Sequence, residues 1–195
     1  MSDYIKEEKN LALALKEALS KITLKKVTTG IGHDLGGYFC DFYLKGHGKI
    51  GYINDDGWGG DVTPTYVSKA KQKVFEDFLK ANNVAQKMLD NGFSFYKSAE
   101  KINFDTQAIT IIEVVLIKLE EEKFIKKQRK QFEKAIVFGN DNSYTAVKFK
   151  IPLKAVVLSK KGKEILQNEY DKIKRNLKEN EKILNDNLQE LGITL

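Results

Sequence analysis

The stretch GYFCDFYLKGHGKIGYIND, residues 37–55, carries the clearest strand pattern in the chain. From 38 to 45 apolar and mixed residues alternate strictly. Tyr38, Cys40, Phe42 and Leu44 fall on one side, and Phe39, Asp41, Tyr43 and Lys45 on the other. A period of two is the signature of a strand with one face buried. Gly46-His47-Gly48 makes a short turn, and Lys49 to Ile53 returns. The reading is a β-hairpin.

ITLKKVT at 22–28 alternates and is read as a further strand, separated from the hairpin by the glycine-rich break GIGHDLGG at 30–37. Before it, Tyr4, Leu11, Leu15, Leu19 and Ile22 recur at helical spacing, which predicts a helix over 3–20. After the hairpin, helices are expected at 65–82, with Val67, Ala70, Val74, Phe78 and Leu79 inward, and at 84–91, ending at Gly92. Residues 93–104 suit no single element. The strongest helical pattern spans 105–134, with Asp105 as N-cap and Ile109, Ile112, Leu116 and Leu119 buried. Two strands follow, 135–139 and 143–151, around an Asn140-Asp141-Asn142 turn, and Pro152 closes the second. A heptad-like stripe of Leu166, Tyr170, Ile173, Leu177, Leu184, Leu188 and Leu191 predicts a long C-terminal helix over 160–191, able to protrude or dimerise. The expected architecture is one α+β domain over 1–195, a small antiparallel sheet packed against several helices.

Composition narrows the function. The 195 residues are 42% apolar and 31% charged, a globular composition rather than a disordered one. A single cysteine, Cys40, excludes an intramolecular disulfide framework and a multi-cysteine zinc site. Apolar runs fall far short of the roughly 18 residues a membrane span needs. The polar start, Ser2, Asp3, Lys6, Glu7 and Glu8, does not fit a secretory signal, so a cytoplasmic protein without membrane partners is expected. The net charge of +6 is unevenly spread. Residues 123–163 hold twelve Lys/Arg against Glu133 and Asp141, a net of +10, while the rest holds 21 basic and 25 acidic residues, a net of −4. Such a field attracts anions; the plain alternative is a solvated lysine-rich surface.

The most purposeful loop is Asn54-Asp55-Asp56-Gly57-Trp58-Gly59-Gly60-Asp61. Its glycines allow backbone N–H groups to approach an anion closely. Trp58, the only tryptophan, sits between glycines where its ring can stack on a base. The plain alternative is a tight turn in which tryptophan plugs the end of the sheet. Asp55, Asp56 and Asp61 offer oxygen ligands, but their spacing does not match the EF-hand loop. His33, in the other glycine loop, could join them in an acid–base or metal site; His47 falls at the far end of the hairpin. Neither histidine has metal-binding or nucleophile-activating spacing. Gly30–Gly37 contains GxG but no Walker A tail. Lys160, Lys161 and Lys163 open the last helix, where they oppose its dipole and where a phosphate would be welcome.

The hairpin with its loop, GYFCDFYLKGHGKIGYINDDGWGGD, resembles a family of small uncharacterised bacterial and phage-encoded proteins. In these an aromatic strand leads into an N-D-G-x-G-G type loop. AIVFGNDNSYTAVKFKIPLKAVVLSKKGKEIL, at 135–166, looks like a second shared block; together the two cover about a third of the chain. This sequence departs by an extra aspartate in the loop and a long N-terminal helix. The resemblance implies a phage or mobile-element setting and transfers no catalytic residue.

These observations lead to a non-enzymatic binding protein. Its ligand bears phosphate: a nucleotide, a cyclic-nucleotide-like signal or nucleic acid. Asn54, Asp55, Asp56, Gly57, Trp58, Gly59, Gly60, Lys160, Lys161 and Lys163 are the expected ligand-binding residues. No catalytic residue, metal or cofactor is expected. A phage-encoded inhibitor of host defence would use such a site for sequestration. Two other readings stay open. One is an interaction module that occludes a host protein or dimerises through the helices at 105–134 and 160–191. The other is a metal-dependent phosphohydrolase using Asp55, Asp56, Asp61 and His33.

Overall fold

The computed structural model describes residues 9–32, 36–92, 96–140 and 142–194. The fold is α+β. The chain divides into two compact units, Met1–Leu119 and Glu120–Leu195, taken one at a time below.

The first unit is built on a four-stranded antiparallel sheet in simple sequential order. Its strands are β1 (Ile22–Ile31), β2 (Gly37–Leu44), β3 (Gly48–Asp55) and β4 (Thr65–Tyr66). The hairpin forms as its alternation requires. Tyr38, Cys40, Phe42 and Leu44 are all buried on one face. Against that face pack α2 (Lys69–Ala81), α3 (Val84–Asp90) and the leading part of α4 (Phe104–Arg129), through Phe75, Leu79, Met88, Ile111, Ile112 and Leu116. Helical residues 9–14 and α1 (Lys16–Leu19) add Leu11, Leu15 and Leu19. The part of the expected 3–20 helix before residue 9 lies outside the described residues.

The register of the sheet shifts at three places, between Lys25 and Thr28, between Thr29 and Ile31, and between Phe42 and Tyr43. In β3 Ile50 is the extra residue between the Phe42–Gly51 and Tyr43–Lys49 pairs, so Ile50 and Ile53 both reach the core. In β1 Lys26 and Val27 together oppose the interval between Lys25–Asp41 and Thr28–Phe39, and Lys26 sits at φ 52°.

Several expectations are corrected here. The helix expected from residue 65 begins at Lys69, because Thr65–Tyr66 pair with Tyr52 and Gly51 and Ser68 caps the helix by accepting from the Lys71 N–H at 3.2 Å. Val67 and Ala70 are therefore exposed, and Phe75 takes the core position. Asn103, not Asp105, caps α4: its Oδ1 accepts from the Thr106 N–H at 2.7 Å. Asp105 instead faces the Tyr66 hydroxyl at 3.4 Å. Ala108, Ile111, Ile112, Val114, Val115 and Leu116 are all buried, so α4 is enclosed on every side here rather than along a stripe.

In the second unit β5 (Ala135–Gly139) pairs with β6 (Tyr144–Lys148) on one edge and with β7 (Lys182–Ile183) on the other. Next come α5 (Leu153–Val156) and α6 (Lys160–Asn176). Leu166, Tyr170 and Ile173 of α6 are buried with Ile136, Leu153, Leu188 and Ile193. The helix expected over 160–191 thus stops at Asn176. Leu177 turns to an extended conformation, which lets Ile183 pair with Phe138 and brings Leu188 and Ile193 back onto the same core. No described helix is long and apolar enough to cross a membrane.

Candidate functional site

The loop after β3 begins at the sheet end. Gly32 and Gly57 are there for close approach: a Cβ on Gly32 would collide with the Asp56 carbonyl oxygen, and one on Gly57 with that of Ile31. The backbones at the end of β1 and after β3 therefore touch directly. Two Asx turns stiffen the loop further. Asp55 Oδ1 accepts from the Gly57 N–H at 2.8 Å, and Asp56 Oδ1 accepts from the Trp58 N–H at 3.0 Å. Two of the backbone donors that the sequence offers to an anion are thus occupied by the loop's own carboxylates. Trp58 does not plug the sheet: its side chain is 72% exposed. Asn54, Asp56, Gly59 and Gly60 are exposed as well, and Asp55 and Gly57 are half-buried.

Asn54 belongs to a larger feature that the sequence reading did not assemble, the outer face of the sheet. Register places Lys25, Asp41 and Tyr52 in one row across β1, β2 and β3, Thr28, Phe39 and Asn54 in the next row toward the loop, and Thr23, Tyr43 and Lys49 in the row toward the turn. Asp41 lies at the centre, only 2% exposed. Lys49 Nζ donates to its Oδ1 at 2.6 Å, and Lys26 Nζ stands 3.3 Å from Oδ2. Lysine chains at the protein surface cover the carboxylate. The Lys49 hydrogen bond, helped by Lys26, holds its pKa below the usual carboxylate range despite the opposing loss of water. The bulge at Lys26 supplies the second cation: its left-handed backbone, uncommon for lysine, accompanies a side chain that reaches Asp41.

Aromatic rings interleave with these cations. Lys25 Nζ lies 4.6 Å from the Tyr43 ring centre, Lys49 Nζ lies 5.8 Å from that of Tyr52, and the Phe39 and Tyr52 rings are 6.0 Å apart. Lys25, Lys26, Thr28, Tyr52 and Asn54 are exposed, and Phe39, Tyr43 and Lys49 half-buried, so the face is open to solvent. Its sequence signal is the alternation Phe39-Asp41-Tyr43 beside Lys25-Lys26, visible only once strand pairing is known.

Other groups are placed less suggestively. Lys160, Lys161 and Lys163 are exposed on the first turn of α6, in the second unit, where Ser159 caps the helix by accepting from the Gly162 N–H. His33 lies outside the described residues. His47 lines an open groove of about 700 Å³ at the turn end of the hairpin, with Lys21, Lys45, Asp77 and Phe78. Cys40 is fully buried, and loss of solvent pushes its thiol up to about 11, so it is a core side chain without nucleophilic character. Burial, then Glu113 beside its hydroxyl, pushes the Tyr38 phenol well above its ordinary value. Among the described residues no group of three or more His, Cys, Asp or Glu is placed to hold a metal ion. Comparison with protein-family models, with curated proteins and with solved structures finds no match to this chain.

Proposed function

We propose that this protein is a non-enzymatic binding protein whose ligand carries both phosphate and an aromatic base. The observation that carries the reading is Trp58: a large ring, 72% exposed, held out by a loop that two Asx turns and direct backbone contact make stiff. An exposed ring on a stiff support is pre-ordered for stacking, so little conformational freedom is lost on binding. With the Gly57 and Trp58 N–H groups occupied, charge neutralisation falls to side chains. Asn54 stands in the row next to the loop, and Lys25 and Lys26 follow toward the middle of the sheet. A sequestering role in a phage or mobile-element setting is one use of such a site.

The test is native mass spectrometry of the full chain with nucleoside monophosphates, cyclic nucleotides and short oligonucleotides. The reading predicts an added ligand mass that Trp58→Ala loses by at least fivefold in occupancy, stacking being worth about 1–3 kcal/mol per base. Undiminished occupancy in Trp58→Ala would contradict it. A second reading, an interaction module, draws on Leu158, which is 86% exposed in the second unit where Ile151 and Ile165 are exposed too. It predicts an oligomer or complex in size-exclusion chromatography that Leu158→Lys abolishes.

A further inference from the structure

We infer that the outer face of the β1–β2–β3 sheet is a platform for single-stranded nucleic acid. The inference deepens the function proposed above and rests on it. Three features of the face select this occupant.

The first is its openness. Small ligands bind where 70–90% of their surface can be buried. A sheet face with Lys25, Thr28, Tyr52 and Asn54 all exposed gives a lone nucleotide no such enclosure. An extended polymer instead gathers weak contacts in series along a flat surface. The second is the repetition of one unit, a ring with a cation. Lys25 with Tyr43 and Lys49 with Tyr52 form two such pairs, diagonal neighbours across β2 and β3, and Phe39 lies against Tyr52. Diagonal positions lie roughly 7–8 Å apart, within reach of successive splayed bases. The third is charge. Lys25, Lys26 and Lys49 face a single carboxylate, Asp41, which lies covered beneath two of them. The face therefore presents net positive charge to a phosphate backbone. Lysine is depleted at the centres of protein–protein interfaces, which disfavours a protein occupant.

The unbound geometry suits exchange. A base stacking on Tyr43 displaces Lys25 from that ring and frees it for the adjacent phosphate, while Lys49 stays on Asp41 beside Tyr52. A stacked base is worth roughly 5- to 150-fold in affinity by alanine substitution. An exposed cation–π contact is worth only about 2- to 5-fold. Exchange therefore favours the base. A duplex, its bases already stacked inside, cannot use the rings.

Fluorescence anisotropy of the full chain with labelled 15-mers of dT and rU, and with a 15-base-pair duplex at equal salt, tests this. The expected result is single-strand affinity at least tenfold above duplex affinity. Tyr52→Ala should weaken it at least fivefold, while Tyr52→Phe, which keeps the ring, should stay within twofold. Lys25→Gln with Lys26→Gln should flatten the dependence of log affinity on log salt by roughly one to two units, about one per lost phosphate contact. Tyr52 is on the solvent face, so an unchanged thermal midpoint confirms that its variants fold. Equal duplex binding, or Tyr52→Ala indistinguishable from the parent chain, overturns the inference. A mononucleotide mass lost in Trp58→Ala without any oligonucleotide binding overturns the platform and leaves the proposed function standing. Binding of neither overturns both.

Discussion

Asp41 and Lys26 hold opposite ends of one local compromise. Asp41 is nearly withdrawn from water on the sheet's outer face, with Lys49 at 2.6 Å and Lys26 at 3.3 Å. Its folded pKa is depressed, so its contribution is fully present above the ordinary carboxylate value near 3.9 and is lost as pH falls through the lower folded value. Asp41→Asn should therefore cost about 1 kcal/mol at pH 7, since both lysines can return to solvent. That difference should vanish toward pH 2, and urea midpoints across this range measure it. A constant difference at all pH values would mean that the carboxylate's shape, not its charge, matters. Lys26 at φ 52° tests the backbone side. Lys26→Asn, which tolerates the left-handed region, should stay within about 0.5 kcal/mol of the parent, whereas β-branched Lys26→Val should lose about 1–2 kcal/mol. The alternation at 38–45 places Asp41 on the outer face correctly. Its burial is not legible there, because the cover comes from a bulge fifteen residues upstream that no local pattern announces.

Elements were legible in proportion to how many residues repeat a period. The hairpin, α3 and β5 appear where the pattern puts them, because each carries enough apolar positions, or a sharp enough turn, to fix both register and limits. β4 and β7 are two residues each, too short to show any period, and they exist because an adjacent strand edge offers hydrogen-bonding partners. The end of α6 was hidden for the opposite reason. Its apolar stripe continues past Asn176, but Leu188 and Ile193 reach the core by chain reversal rather than by helical continuation. Asn185 secures that reversal. Its Oδ1 accepts from the Val137 N–H at 2.6 Å, its Nδ2 donates to the Ala135 carbonyl at 3.0 Å, and so it extends the pairing that β7 begins. Asn185→Ala leaves both backbone groups of β5 without these partners. It should destabilise the second unit by about 1–3 kcal/mol, read from far-UV circular dichroism in urea. A change below about 0.3 kcal/mol would show that solvent replaces Asn185 fully.

At the scale of the whole molecule, the charge segregation was plain from the sequence, while the grouping of functional side chains was not. All twelve basic residues of 123–163 fall in the second unit, which opens on the acidic Glu120–Glu122. The exposed ring and the aromatic–basic sheet face fall in the first. Trp58 stands out in the sequence because glycines flank it, whereas Lys25, Asp41 and Tyr52 come together only through strand pairing. The proposed recognition of a base-bearing, phosphate-bearing ligand in the first unit centres on the ring that extends from its sheet. Trp58 is the only tryptophan, so its emission reports on that ring without labelling. The most direct measurement is a tryptophan-fluorescence titration of the unmodified chain with single-stranded oligonucleotide and with mononucleotides at low and high salt. The proposed function predicts saturable quenching whose midpoint moves to higher ligand concentration as salt rises. Emission that stays flat through millimolar ligand at low salt would contradict it.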